Sequence, residues 1–180
     1  MKSLNDAASV AALLVVVAAA SLASTDAAAV QREKFGNATA FCQAANPVSD
    51  AAIRRRPLSL QNEGTANVFV SCSFVTDTGY GGSIGTEGFE IVVVNTTSSA
   101  KAVSCTGVVG TTGFGTQYFP QSSELAPNSS GSFRFTSEEL NGDVPFDSYA
   151  AINASCVLPP GVSINDTYVW YQVDVLEAAR

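Results

Sequence analysis

The sequence predicts an all-β protein: an antiparallel β-sandwich, immunoglobulin-like or jelly-roll-like, stapled by disulfides and preceded by an N-terminal signal helix. Three observations support this prediction. Apolar and polar residues alternate in several short segments, which is the period of a half-buried strand. Clusters of Gly, Pro, Asn and Ser separate those segments. Four cysteines follow an apolar leader, and an even number in that position is typical of exported, disulfide-bonded domains.

Residues 1–29 have the pattern of a secretory signal peptide. Lys2 supplies a positive charge, and residues 10–22 form an apolar run of 13. That run is shorter than the roughly 20 residues that a membrane-spanning helix needs. Small residues allow cleavage after Ala23 or after Ala29. We therefore expect a secreted or periplasmic protein that keeps no membrane span after cleavage.

Six segments show clear alternation, and no window after residue 30 has the 3.6-residue period of a longer helix. The segments are 67–75, 89–95, 101–108, 131–135, 148–158 and 167–176. Residues 67–180 are accordingly predicted to form the sandwich, with a small barrel as the alternative. Residues 30–66 are predicted to form an irregular segment packed on it. The glycine-rich stretch 76–88 is predicted to be a flexible hairpin loop.

Three of the four cysteines lie in phase with the apolar positions of their own strands, at Cys72, Cys105 and Cys156. A catalytic thiol needs partial exposure and a nearby base or cation. The chain has no histidine, so we interpret these cysteines as cross-links. Four cysteines allow three pairings, of which we favour Cys42–Cys72 and Cys105–Cys156.

The order of these motifs resembles a group of small exported bacterial four-cysteine β-proteins of uncharacterised function. The matching pieces are "FCQ", "VSCSF", "VSCTG" and "YAAINASCVLPPGVSINDTYVWYQV". The resemblance spans about residues 40–176 and implies an exported disulfide-bonded sandwich. It implies no catalytic or binding residue. The chain departs from the pattern because no proline follows Cys72 directly.

Composition excludes several classes of function. The net charge is −7 with 14% charged residues, so the chain has too few basic residues to cover a nucleic-acid backbone. Without histidine, a Ser-His-Asp or Cys-His site cannot form. A zinc site would need all four cysteines from distant positions. We therefore expect no metal, no other cofactor and no nucleic-acid partner.

Carboxylate pairs are the remaining basis for a hydrolase, since two acids can serve as acid and base on a sugar. The candidate pairs are Glu87 with Glu90, Glu138 with Glu139, and Asp174 with Glu177. A calcium site is a further alternative, from oxygens of the glycine-rich loop and the later "NGDVPFD" loop: Asp77, Glu87, Asp143 and Asp147. For all of these residues we favour solvated surface charge.

Two other features suggest binding. Arg54, Arg55 and Arg56 form the one basic cluster, which could hold an anion, although we favour an exposed loop. Tyr168, Trp170 and Gln172 alternate with the expected core positions of the last strand. They would form an aromatic ligand platform on the outside of the sheet, unless a loop covers Trp170.

For function, these features favour a non-enzymatic binding or structural module of the cell envelope or extracellular space, with a glycan or another envelope protein as partner. One alternative is a small carboxylate-dependent hydrolase. The other is a subunit of an extracellular assembly that lends or accepts a strand.

Overall fold

The fold class predicted from the sequence is confirmed by the computed structural model, which describes residues 29–76, 83–110, 115–142, 145–146 and 151–173. The protein is an all-β, antiparallel, two-sheet sandwich, jelly-roll-like, with two disulfides. The expected leader lies outside the described residues apart from Ala29. Within the described part of the chain, no helix is both long and apolar enough to cross a membrane.

The two sheets share the strands almost equally. Sheet 1 contains β1 (Val30–Asn37), β3 (Ile53–Arg56), β4 (Ser59–Asn62), β6 (Ser83–Asn95), β9 (Ser129–Thr136) and β11 (Val162–Val173). Sheet 2 contains β2 (Cys42–Ala44), β5 (Val68–Phe74), β7 (Lys101–Gly110), β8 (Thr116–Leu125) and β10 (Ala151–Leu158). Three short helices complete the described elements: α1 (Ala38–Phe41), a 3₁₀ helix (Pro47–Ala52) and α2 (Ser137–Asn141).

Strand β11 is the centre of sheet 1. The order in that sheet is β3-β4-β11-β6-β9, and β1 pairs with β11 on the same edge as β4 but further along the strand. Sheet 2 has the order β2-β5-β10-β7-β8. Strands β10 and β11, which correspond to the segments predicted at 148–158 and 167–176, are therefore in opposite sheets.

The core lies between the inner faces of the sheets, where alternate residues of each strand are buried. Its centre is aromatic: the rings of Phe89 and Phe135 stack with centroids 4.9 Å apart and are fully buried. Gly107 of β7 faces them, and a Cβ there would lie 2.8 Å from Phe135. A glycine is needed at this point because the two sheets approach so closely.

Both disulfides lie inside sheet 2 and point into the core. Cys42 is bonded to Cys72 and Cys105 to Cys156, and each bond joins residues directly opposite in neighbouring antiparallel strands. These are the pairs that we favoured from the sequence. All four cysteines are buried. Two disulfides are consistent with an extracellular protein.

The segment 30–66, expected to be irregular, instead contributes strands β1, β2, β3 and β4. Strands β1 and β3 lie at the edge of sheet 1, where most of their residues are exposed or half-buried, whereas β4, between β3 and β11, buries Leu60 and Asn62. An edge strand of this kind needs no apolar face, and so it leaves no period of two in the sequence.

Strand β8 was not predicted, because it contains Pro120 and few apolar residues. It is an edge strand, where proline costs no hydrogen bond inside the sheet. Part of the glycine-rich stretch, residues 83–88, belongs to β6 rather than to a loop. Its glycines are accommodated because that half of β6 pairs with β11 through bulges.

Candidate functional site

The candidate site lies on the outer, solvent-facing side of sheet 1. Residues of β11 alternate between the core and this face. Thr167, Val169, Tyr171 and Val173 are buried, and Asp166, Tyr168, Trp170 and Gln172 are partly exposed on the other side. The structure therefore places the three residues of the predicted platform on one open face.

A groove of about 530 Å³ crosses this face. Its lining residues come from four neighbouring strands, in the order β1, β11, β6 and β9: Gln31, Arg32, Glu33, Tyr168, Trp170, Glu90, Val92 and Arg134. Three strand spacings of about 4.8 Å give the groove a span of roughly 14 Å. Its volume is in the range of ligand sites, about 300–1,000 Å³.

Two aromatic rings lie side by side at the edge of the groove, where Tyr168 lines it and Phe35 flanks Tyr168. Phe35 of β1 is directly opposite Tyr168 in the register, and their ring centroids are 5.0 Å apart at an interplanar angle of 59°. Phe35 is 61% exposed. Such a pair offers more apolar surface to a ligand than Tyr168 alone would.

Trp170 lies across the neighbouring strand rather than standing out from the sheet. Its partner on β6 is Gly88, and a Cβ at that position would lie 2.5 Å from Cζ2 of the indole. The indole reaches as far as β9, where Cζ of Arg134 lies 4.7 Å from the ring centroid. Gly88 thus makes room for the indole, and Arg134 contacts it through a cation–π interaction.

Tyr168 has an acidic environment. Burial raises the pKa of its hydroxyl first, and the negative charges of Asp166, Glu90 and Glu33 raise it further. Burial also raises the pKa of the Asp166 carboxyl. The end of the groove around Tyr168 is therefore rich in hydrogen-bond acceptors and negative in potential.

The charged side chains that face the groove are largely free for a ligand. Glu33, Glu90 and the guanidinium of Arg134 make no hydrogen bond or ion pair among the described residues, apart from the contact of Arg134 with the indole. Arg32, by contrast, does interact with another group. Unpaired hydrogen-bond donors and acceptors that converge on a groove are typical of a polar binding site.

Gln172 closes one side of the site rather than lining it. Its Nε2 and the Nε2 of Gln31 donate hydrogen bonds to the two carboxylate oxygens of Glu87. Glu87 can point outward because it is the extra residue of a β-bulge: Gly88 pairs with Trp170, and Thr86 pairs with Tyr171. These two hydrogen bonds join β1, β6 and β11 at the edge of the groove.

The bulge also determines the direction of the first candidate carboxylate pair, Glu87 with Glu90. Residues three apart on a regular strand face opposite sides, yet Glu87 and Glu90 both lie on the outer face. Glu87 is occupied by the two glutamines, whereas Glu90 is open to the groove. Glu138 and Glu139 lie in the first turn of α2, away from the groove.

The third pair, Asp174 with Glu177, lies outside the described residues, as do Asp77, Asp143 and Asp147 of the calcium alternative. Among the residues that the structure does describe, no group of three or more His, Cys, Asp or Glu side chains could hold a metal ion.

The arginine cluster on β3 is engaged by the chain itself. Nε of Arg54 lies 3.3 Å from Oε2 of Glu63, and Arg56 forms an ion pair with the same carboxylate. Arg55 donates to the backbone carbonyls of Thr39 and Cys42, at 3.0 and 3.2 Å. Partial desolvation acts to raise the pKa of Glu63, but the hydrogen bonds and charges of the two arginines outweigh it and lower the pKa.

The residues of the site that the sequence did not single out include Glu33, Phe35 and Arg134. The first two lie on β1, in which "VQREKFGN" has no apolar face to reveal a strand. Arg134 was within the predicted strand 131–135, where Phe133 and Phe135 face the core. The alternation of β9 indicates that the Arg134 side chain points outward. It does not predict the contact with Trp170, because that contact depends on the order of strands in the sheet.

No protein-family model matches the chain, and no curated protein matches it. Solved structures of carbohydrate-binding modules show distant structural similarity. One is TmCBM61 in complex with β-1,4-galactotriose, with a TM-score of 0.35, 7% identity, and coverage of 79% of this chain and 88% of that one. Another is a family 11 carbohydrate-binding module from Clostridium thermocellum in complex with a β-1,3-1,4-mixed-linked tetrasaccharide, with a TM-score of 0.34, 10% identity, and coverage of 85% and 93%. At this distance the similarity does not say what this chain binds.

Proposed function

We propose that this protein is an exported, non-enzymatic binding module of the cell envelope or extracellular space, and that it binds a neutral glycan in the groove on sheet 1. One observation carries the proposal: aromatic rings and unpaired carboxylate and guanidinium groups line the same open groove. A sugar ring has an apolar C–H face and a rim of hydroxyls. The face packs on an aromatic ring, while the hydroxyls donate to carboxylates and accept from a guanidinium.

The charges of the groove favour a neutral ligand. On the open face the lining carries two carboxylates, Glu33 and Glu90, and one guanidinium group, that of Arg134. Arg32 is opposite the core-facing Tyr171, so its side chain leaves on the other side of β1. Asp166 adds a further negative charge near Tyr168. An anionic polymer would meet repulsion at that end, and a strongly cationic one would meet Arg134 at the other.

Two features support a binding role over hydrolysis or strand exchange. Of the two acids that the bulge brings to one face, Glu87 is held by Gln31 and Gln172, so one member of the predicted Glu87–Glu90 pair is occupied. Two of the edge strands, β8 and β9, are also poorly suited to accept another chain. Strand β8 carries Pro120, and on β9 the carbonyl of Arg134 accepts a hydrogen bond of 2.8 Å from Nε2 of Gln121.

A glycan array tests the proposal, with wild-type protein compared with Tyr168→Ala and Trp170→Ala. Loss of the Tyr168 ring removes an aromatic contact worth about 1 kcal/mol or more, which corresponds to at least a fivefold weaker binding of the same glycan. Loss of the indole removes the ring that holds Arg134 in the groove, so Trp170→Ala should weaken binding as well. Tyr118→Ala is the matched control, because Tyr118 is an aromatic residue, 67% exposed, on the opposite sheet.

The expected result is binding by the wild type and by Tyr118→Ala, with clear weakening in both groove variants. Circular dichroism checks that every variant keeps its β-sheet signal. A wild-type protein that binds no neutral glycan, or equal weakening in all three variants, would contradict the proposal.

A further inference from the structure

We infer that Arg134 is the specificity-determining residue of the groove: it covers the indole of Trp170, leaves ring stacking to Tyr168, and presents its own N–H donors to the ligand. This inference rests on the proposed function. It adds a division of roles within the groove, with an aromatic, acceptor-rich end at Tyr168 and a donor end at Arg134.

The contact between Arg134 and Trp170 spans a whole strand. Arg134 is on β9 and Trp170 on β11, with β6 between them. The two side chains meet, at 4.7 Å from Cζ to the ring centroid, because the indole lies down over Gly88. The arginine therefore covers ring surface that would otherwise be open to a ligand.

The backbone of Arg134 is held by a hydrogen bond, whereas its guanidinium group has no ion-pair partner among the described residues. The carbonyl oxygen accepts a hydrogen bond from Gln121 of β8, which ties β9 to the edge strand of the opposite sheet. The guanidinium makes no ion pair among the described residues, unlike Arg54 and Arg56, which share Glu63. An arginine stacked on a ring can still use the in-plane N–H groups at its rim as donors.

Glu90 is the natural counterpart of Arg134 in binding. It is directly opposite Arg134 on one side and directly opposite Tyr168 on the other. A sugar stacked on Tyr168 would thus find a carboxylate beside it and a guanidinium one strand further on. A glycan whose hydroxyl group missed either partner would lose a charge-assisted hydrogen bond. This order of acceptor and donor would therefore select between glycans that differ in the position of one hydroxyl.

Trp170 is the single tryptophan of the chain, so its fluorescence reports on this site alone. We would compare wild type, Arg134→Ala and Arg134→Lys by acrylamide quenching of the free protein and by glycan affinity. Arg54→Ala serves as the control for loss of an exposed arginine, since Arg54 lies on β3 away from the groove.

In Arg134→Ala we expect about twofold stronger quenching of Trp170 and about tenfold weaker binding of the preferred glycan, as for loss of a hydrogen bond to a charged group. The rank order of glycans on the array should change as well. Arg134→Lys should recover part of the affinity but not the protection from quenching, because an ammonium lacks the planar stack.

Unchanged quenching in Arg134→Ala would overturn the covering role, and unchanged affinity and rank order would overturn the role in specificity. These results differ from failure of the proposed function, in which the wild type itself binds no glycan. In that case the specificity inference falls with it, while the quenching experiment still reports whether Arg134 covers the indole.

Discussion

Removing the Cys105–Cys156 disulfide should destabilise the protein more than removing Cys42–Cys72. The perturbation is a pair of double substitutions, Cys105→Ala with Cys156→Ala, and Cys42→Ala with Cys72→Ala. The residues of each pair face each other across adjacent strands in the folded protein. The two bonds therefore differ mainly in how much of the unfolded chain each one closes into a loop.

The loop lengths give the magnitudes. The sequence separations are 51 residues for Cys105–Cys156 and 30 for Cys42–Cys72. The chain-entropy relation then gives about 4.1 and about 3.6 kcal/mol of the free energy of unfolding at 25 °C. The two loops do not overlap along the chain, so the losses should add to about 8 kcal/mol in the fourfold variant. That sum is comparable with the whole stability of a typical domain, about 5–15 kcal/mol.

Urea unfolding followed by circular dichroism measures these losses, with thiol titration to show that each variant keeps its remaining bond. The native wild type should show no reactive thiol, because the described cysteines are all paired and buried. The fourfold variant should be largely unfolded in buffer. If the Cys42–Cys72 variant proved the less stable of the two double variants, or if both lost under 1 kcal/mol, the loop-entropy reasoning would be refuted.

Three further outcomes follow from local geometry. Asn62→Ala should lower the free energy of unfolding by about 3 kcal/mol in urea, because this fully buried amide makes three hydrogen bonds of 2.7–2.9 Å to backbone groups; a loss under 0.5 kcal/mol would contradict it. Gly107→Ala should cost about 1–3 kcal/mol in the same assay, since its Cβ would press on the rings of Phe89 and Phe135; a stabilised variant would show that the sheets can separate at no cost. Glu63→Gln should reduce stability at pH 7 but not at strongly acidic pH: the lowered pKa of Glu63 makes its contribution complete above the unfolded-state pKa and lost as pH falls through the folded-state value. Urea midpoints across pH 2–7 measure this difference, and equal destabilisation at all pH values would show that the charge of Glu63 is not its cause.

Much of the fold was predictable because the central strands bury one face. In β5, β7 and β10 most alternate residues are apolar and buried, so the period of two is visible in the sequence alone. The edge strands β1, β3 and β8 have no such constraint, and they were missed. Their places depend on which central strand they pair with, and a sequence does not state its strand order.

The candidate site was predictable only along one strand. The alternation of β11 indicated that Tyr168, Trp170 and Gln172 share a face, and the structure places them so. The groove itself arises from four strands brought together by the fold. The bulge at Glu87 reverses the direction expected of that side chain, and nothing in "GTEGFE" reveals such a bulge without the partner strand.

Both covalent cross-links join strands of sheet 2, and neither is bonded to a strand of sheet 1. The two sheets therefore differ in how they are held together. Sheet 2 is covalently cross-linked, whereas sheet 1 is held by hydrogen bonds and side-chain packing alone. Local opening of backbone hydrogen bonds should be most frequent in sheet 1, where the register of β11 against β6 shifts three times. A ligand that contacted β1, β11, β6 and β9 would hold these strands of sheet 1 together. Amide hydrogen exchange should therefore slow on binding most clearly in sheet 1.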